Sequence, residues 1–80
     1  VRREFVPRDK EELAFYQELG RRLAFARSIK KLSQRELGRR AGITTATMCM
    51  IEAGVTRSTI YIVLNLARAL GVPLSRLVDQ

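Results

Sequence analysis

Histidine is absent from the 80 residues and cysteine occurs once. Without histidine there is no Ser-His-Asp or Cys-His nucleophile set. A single thiol builds neither a disulfide framework nor a plausible protein zinc site. No convincing carboxylate pair and no glycine-rich phosphate loop stand out either, so the composition argues against an enzyme and against a metal or cofactor. No run of about 18 apolar residues is present, which argues against a membrane span. The charged start lacks the apolar stretch of a secretory signal. A cytoplasmic setting is the expectation that follows.

What remains is short, basic and rich in aliphatic residues. Eighty residues make one domain with a thin core, so every apolar face must be used. Net charge is +7, and it is unevenly spread: residues 1–20 carry four basic and five acidic side chains, residues 21–80 eleven basic and three acidic. The basic field therefore belongs to the larger, C-terminal part. Such a field attracts polyanions, nucleic acid first and acidic membrane or protein surfaces second, and charge alone does not choose among them.

Helical periodicity organises the chain. Residues 1–8, with Pro7 as a breaker, read as an arm. Asp9 and Glu12 have capping-box spacing. From there Leu13, Tyr16, Leu19, Leu23, Ala26 and Ile29 step by three and four, predicting one helix face running to about Lys30. Gly20 interrupts this face. It is either a small residue at a close helix crossing or a break between an N-terminal extension and a core domain. The expected division is an arm and helical extension over 1–18 and a folded domain over 19–80.

Ser33 opens a second helix, with Glu36 completing a capping box and Leu32 and Leu37 forming a hydrophobic staple. Gly42 stops it. Only Ile43 separates that glycine from Thr44, a fresh N-cap, and Ile43 and Met48 form another staple. Met48, Ile51 and Val55 continue an inward face, and Gly54 ends the third helix. Ser58 or Thr59 starts a fourth, with Ile60, Val63, Leu64, Ala67 and Leu70 predicted on its buried side and Gly71 as its stop. Pro73 opens a short fifth helix bearing Leu74, Leu77 and Val78. The expectation is an all-α bundle of five helices, the first lengthened by the N-terminal extension.

Two short helices, capped by Ser33 and Thr44 and joined by about three residues, form a helix-turn-helix unit. Gly38, Ala41 and Gly42 are small where the two helices cross. One helix of such a unit lies in a major groove while its partner braces it on the backbone. The stretch S-Q-R-E-L-G-R-R-A-G-I-T-T-A-T-M-C-M-I-E-A-G satisfies spacing, caps, turn glycine and apolar positions together.

On these residues, with L-G-R-R-L-A-F-A-R before the motif and L-A-R-A-L-G-V-P-L-S-R-L after it, the chain resembles the Cro/XRE family of lambda-repressor-like domains over about residues 19–78. The resemblance implies five helices, a homodimer, and transcriptional regulation through double-stranded DNA bound by the third helix, here about 45–53. It also implies a partly buried ion pair between Arg27 and Glu52. That pairing suits an oddity of the sequence: Glu52 is the sole carboxylate between residues 37 and 78.

The residues expected to meet DNA follow from helix geometry and the resemblance. Gln34 opens the second helix with Arg35 beside it, where short polar side chains and helix N-termini hold phosphates. Thr45, Ala46, Cys49, Met50 and Ala53 share the face of the third helix opposite Met48 and Ile51, with Thr44 and Thr47 at its flank. Thr56, Arg57 and Ser58 offer contacts to the backbone from the following loop. This reader face departs from the family pattern, because none of its side chains makes a bidentate contact to guanine or adenine. Ala and Met touch thymine methyls and Thr offers one hydrogen bond, so shape and phosphate contacts are expected to dominate. The departure keeps a second reading open, a protein-interaction module on the same fold with weak or no DNA binding. A second departure is Ser58 or Thr59 in place of the family's frequent proline.

Cys49 on the reader face reads as a small residue in place of serine, with a redox switch as the sharper alternative. Arg39 and Arg40 lie late on the second helix and read as a solvated helix end. Lys30 and Lys31 read equally as solvated or as phosphate contacts. Tyr61, Ile62, Leu74, Leu77 and Val78 are surplus to a small core and form the expected dimer patch, with Leu13, Phe15 and Tyr16 of the extension as rival cover for the same surface.

Overall fold

The computed structural model describes residues 5–79. Those residues form five α-helices and no strand: α1 (Lys10–Ile29), α2 (Gln34–Ala41), α3 (Thr45–Ala53), α4 (Ile60–Leu70) and α5 (Leu74–Val78). α1 packs on α3 and α5, α2 packs on α3 and α4, and α5 also leans on α4.

Local chemistry sets the boundaries. Asp9, Ser33, Thr44 and Thr59 each sit in extended backbone and accept the amide of the residue three positions on, which satisfies one orphan donor at each helix start. The return half of the two predicted capping boxes is not made. Glu36 turns instead to Arg39 and Arg40. Glu12 accepts from the Arg8 amide, one residue before the cap, and from Arg57. Between α2 and α3 the chain reverses at Gly42, whose φ of 79° is a left-handed conformation that a side chain disfavours. The Ile43 amide then reaches back to the Gly38 carbonyl at 2.8 Å, closing the end of α2.

The core is drawn from every helix: Leu19 and Leu23 of α1, Leu37 and Ala41 of α2, Met48 and Ile51 of α3, Val63, Leu66, Ala67 and Leu70 of α4, and Leu77 of α5. Each of the large, fully buried side chains among them contributes about 1.5–3 kcal/mol on leaving water.

Gly20 settles its two readings. α1 runs unbroken through it, and a Cβ there would lie 2.3 Å from the Glu52 carbonyl oxygen and 2.5 Å from that of Ile51. Gly54, at the far end of α3, is pressed the same way against the Gln17 backbone. α1 and α3 therefore cross at backbone-to-backbone distance, and the N-terminal turns of α1 are held against the end of α3.

Several sequence expectations change places. Leu77, assigned to a dimer patch, is 1% exposed and lies in the core, because α5 folds back onto α1 and α4. Ile60 is exposed at the first turn of α4, and Leu66 takes its place on the buried face, so that face reads 63, 66, 67, 70. Val55 is turned outward by the left-handed Gly54 that precedes it. Ile29 overhangs the end of α1 and, with Phe25, stands in solvent beside a groove between α1 and α5. Phe15 and Tyr16 of the extension pack onto the core, as do the half-buried Ile62, Leu74 and Val78.

Candidate nucleic-acid interface

α2 and α3 are the helix-turn-helix pair. Met48 and Ile51 anchor α3 on its inner side, leaving Thr45, Ala46, Cys49, Met50 and Ala53 exposed together on the outer one. Thr44 is exposed at the cap and Thr47 half-buried beside it. The Thr44 hydroxyl accepts the Thr47 amide at 3.1 Å and pairs with the Thr47 hydroxyl at 2.9 Å, so both threonines are committed to holding the start of α3. The outer face is uncharged and shallow. Two small alanines permit close approach to a partner, Met50 supplies a flexible apolar contact, and Thr45 a single hydroxyl.

Behind this face lies a polar junction that fixes how α3 sits. The Arg27 guanidinium of α1 grips the Glu52 carboxylate of α3 in a two-pronged pair, Nε to Oε2 at 2.7 Å and Nη2 to Oε1 at 3.0 Å. Its remaining arm donates to the Leu32 carbonyl at 2.9 Å, tying the α1–α2 turn to the same point. Gln34 donates from Nε2 to Glu52 Oε1 at 2.9 Å. The carboxylate, bonded from two sides, holds the Arg27 guanidinium above its ordinary pKa. Glu52 thus joins α1, α2 and α3. It also orients Gln34, a residue sequence reasoning placed directly on DNA and which the structure places first on Glu52.

The cations are distributed unevenly around α3. Arg35 is exposed at the start of α2 and has no ion-pair partner among the described residues. Arg39 and Arg40 are both drawn to Glu36, whose carboxyl they hold down at about 2, Arg39 contributing most. Arg57, in the loop behind α3, is bound by Glu12, with Nε to Oε2 at 2.6 Å and Nη2 to Oε1 at 2.8 Å. That contact joins residues 45 positions apart, and periodicity gave no sign of it. The sequence held one hint: Arg57 is the only cation between Arg40 and Arg68. A shallow depression lined by Lys30, Arg40 and Arg68 gathers positive charge at the far ends of α1, α2 and α4 and touches no α3 residue. Cys49 is a free, exposed thiol on the outer face of α3.

The arrangement is that of a helix-turn-helix DNA-binding protein: a capped reader helix, a bracing helix before it and a rigid junction beneath. The chain belongs to the Helix-turn-helix domain family, which matches residues 18–79. The chain is accordingly a DNA-binding regulator of transcription, a non-enzymatic class of protein.

Among solved structures it is similar to the restriction-modification controller protein C.AhdI from Aeromonas hydrophila, at 30% identity over 80% of this chain and 97% of that one, with a TM-score of 0.78. Two structures of lower sequence identity share the fold. The clp gene regulator ClgR from C. glutamicum matches at 21% identity, over 79% of this chain and 82% of that one, with a TM-score of 0.75. The hypothetical transcription factor NHTF from Neisseria matches at 22% identity, over 92% of this chain and 87% of that one, with a TM-score of 0.79. No curated protein sequence matches the chain. No helix among the described residues is long and apolar enough to cross a membrane.

Proposed function

We propose that this protein regulates transcription in the cytoplasm by laying the outer face of α3 in the major groove of double-stranded DNA, as one half of a homodimer. The observation that carries this reading is the face itself. Thr45, Ala46, Cys49, Met50 and Ala53 are exposed together on a helix held from behind by Arg27, Glu52 and Gln34. In the proposed docking, Thr45 offers one hydrogen bond to a base edge, and Ala46 and Met50 rest on thymine methyls with Cys49 beside them. Gln34, Arg35, Thr44 and Thr47 lie at the helix starts nearest the phosphates, and Arg57 flanks the far end. With no bidentate base contact available, affinity comes mainly from the backbone and selectivity from shape.

For the dimer, Tyr61 and Ile62 of α4 with Leu74 and Val78 of α5 are the proposed patch, joined by the exposed Ile60. A two-fold pair then reads half-sites about one helical turn apart. This proposal agrees with the similarity to C.AhdI, a controller protein of a restriction-modification system. Duplex binding followed against salt tests it. A dimer neutralising about six to ten phosphates gives a log–log slope of about −5 to −9. A slope near zero, or no duplex binding at low salt, would overturn the docking and leave the uncharged outer face of α3 as a protein-binding surface.

A further inference from the structure

The N-terminal extension and the loop behind α3 meet at one guanidinium. Arg57 donates to both oxygens of Glu12, at 2.6 and 2.8 Å, and to the Val6 carbonyl at 2.8 Å. The Phe5 ring lies over it, 5.0 Å from Cζ to ring centre. Phe5 is braced edge-on against Tyr16, at 6.0 Å between centres, and Tyr16 packs on the core. A ring, a carbonyl and a carboxylate, all from residues 5–12, thus converge on a single cation.

The place of that cation gives the contact its consequence. The reader helix and its flanking loops carry no other positive charge between Arg40 and Arg68. Glu12 presents two oxygens to the guanidinium fork in the way a backbone phosphate would, and a fork so engaged cannot grip a phosphate at the same time.

We propose that residues 5–12 act as a built-in brake on DNA binding, in which Glu12 stands in for a phosphate on Arg57 and a duplex must displace it to recruit that cation. The proposal deepens the DNA-binding reading and rests on it. A purely structural strap would hold the extension down without setting affinity, and the two differ in a measurable way. Freeing Arg57 adds one phosphate contact per protomer, steepening the log–log salt slope by about 0.9 for each protomer bound and about 1.8 for the dimer, and each contact amounts to roughly eightfold in affinity between 1 M and 0.1 M salt.

The test is fluorescence anisotropy of a labelled duplex with the full chain over a range of salt. The variants are Glu12→Gln, Glu11→Gln, Phe5→Ala, Arg57→Ala and the Glu12→Gln/Arg57→Ala double, each first checked for folding by its thermal melt. Glu11 is exposed on the same turn and controls for the loss of one negative charge. The expected result is tighter binding and a steeper slope for Glu12→Gln, a smaller gain of the same sign for Phe5→Ala, and an unchanged slope for Glu11→Gln. Arg57→Ala should cost more in the Glu12→Gln background than in the wild type, and there it should cancel the whole gain. The brake is overturned if Glu12→Gln behaves like Glu11→Gln, or if Arg57→Ala costs the same in both backgrounds, and duplex binding by the wild type then still stands. If no variant binds duplex at low salt, the docking itself fails and the brake falls with it.

Discussion

Replacing Glu52 by alanine should remove a large share of the domain's stability. The Glu52 side chain is 7% exposed and its partner Arg27 21%, and the carboxylate receives three hydrogen bonds, two from Arg27 and one from Gln34. Truncation leaves the Arg27 guanidinium largely out of water with only the Leu32 carbonyl, and the Gln34 amide loses its acceptor. Stranding one partner of such a pair costs about 3–5 kcal/mol, and the remaining solvent access of Arg27 argues for the lower part of that range. A chain of this size has about 4–12 kcal/mol in total. Urea denaturation followed by helical circular dichroism reads the loss directly. The pair, and not either residue alone, is the claim, so Arg27→Ala and the double variant complete a cycle. Each single should lose about 3 kcal/mol, and the double should lose much less than the sum. Additive losses below 1 kcal/mol would rule out a buried, mutually dependent pair, because they would show that solvent, not the partner, satisfies each charge.

Three further expectations follow from other parts of the fold. Gly20→Ala should destabilise by about 1–3 kcal/mol even though alanine is the better helix former, because its Cβ meets the Ile51 and Glu52 backbone; a raised melting temperature would contradict the close α1–α3 crossing. Acid should weaken the fold in a defined window. Glu12, held mainly by Arg57, and Glu36, held mainly by Arg39, are lowered from 4.5 to about 2, so their contribution is complete above pH 4.5 and disappears as pH falls toward 2. The Glu12→Gln/Glu36→Gln double should therefore lose less stability across that interval than the wild type, and an equal loss would place the acid response elsewhere. Tyr61→Asp, at a side chain 66% exposed, should turn the proposed dimer into a folded monomer in sedimentation equilibrium; an intact dimer would move the interface off the start of α4.

Much of this was legible because it is local. The caps Ser33 and Thr44 and the stop Gly42 act within four residues of themselves, and they were enough to locate α2, the turn and α3. The outward set on α3 follows from the two residues that face inward, Met48 and Ile51. Apolar residues at helix ends were misplaced for the opposite reason. Ile29, Val55 and Ile60 fit a helical stripe, yet at an end the neighbouring element decides burial, and here it turns away. Leu77 was misplaced the other way, since a five-residue helix shows too little periodicity to reveal which side docks. Gln34 and Arg57 illustrate the limit for polar residues. Their position relative to α3 was readable, but their partners Glu52 and Glu12 are 18 and 45 residues away, and only the folded chain brings them together. The capping boxes failed by competition. Glu12 and Glu36 have the right spacing, but a nearby guanidinium is the stronger donor for a carboxylate than a backbone amide.

If the outer face of α3 reads duplex DNA in a two-fold arrangement, the sequences it selects carry that symmetry. Selection of bound sequences from a random duplex pool, run in parallel on the wild type and on Thr45→Ala, reads this out. The expected result is an enriched, near-palindromic site with half-sites about one helical turn apart, whose base preference relaxes by about 1 kcal/mol or less in the variant. A pool that remains random, or an enriched site unchanged by Thr45→Ala and by substitutions at Ala46 and Met50, would contradict it.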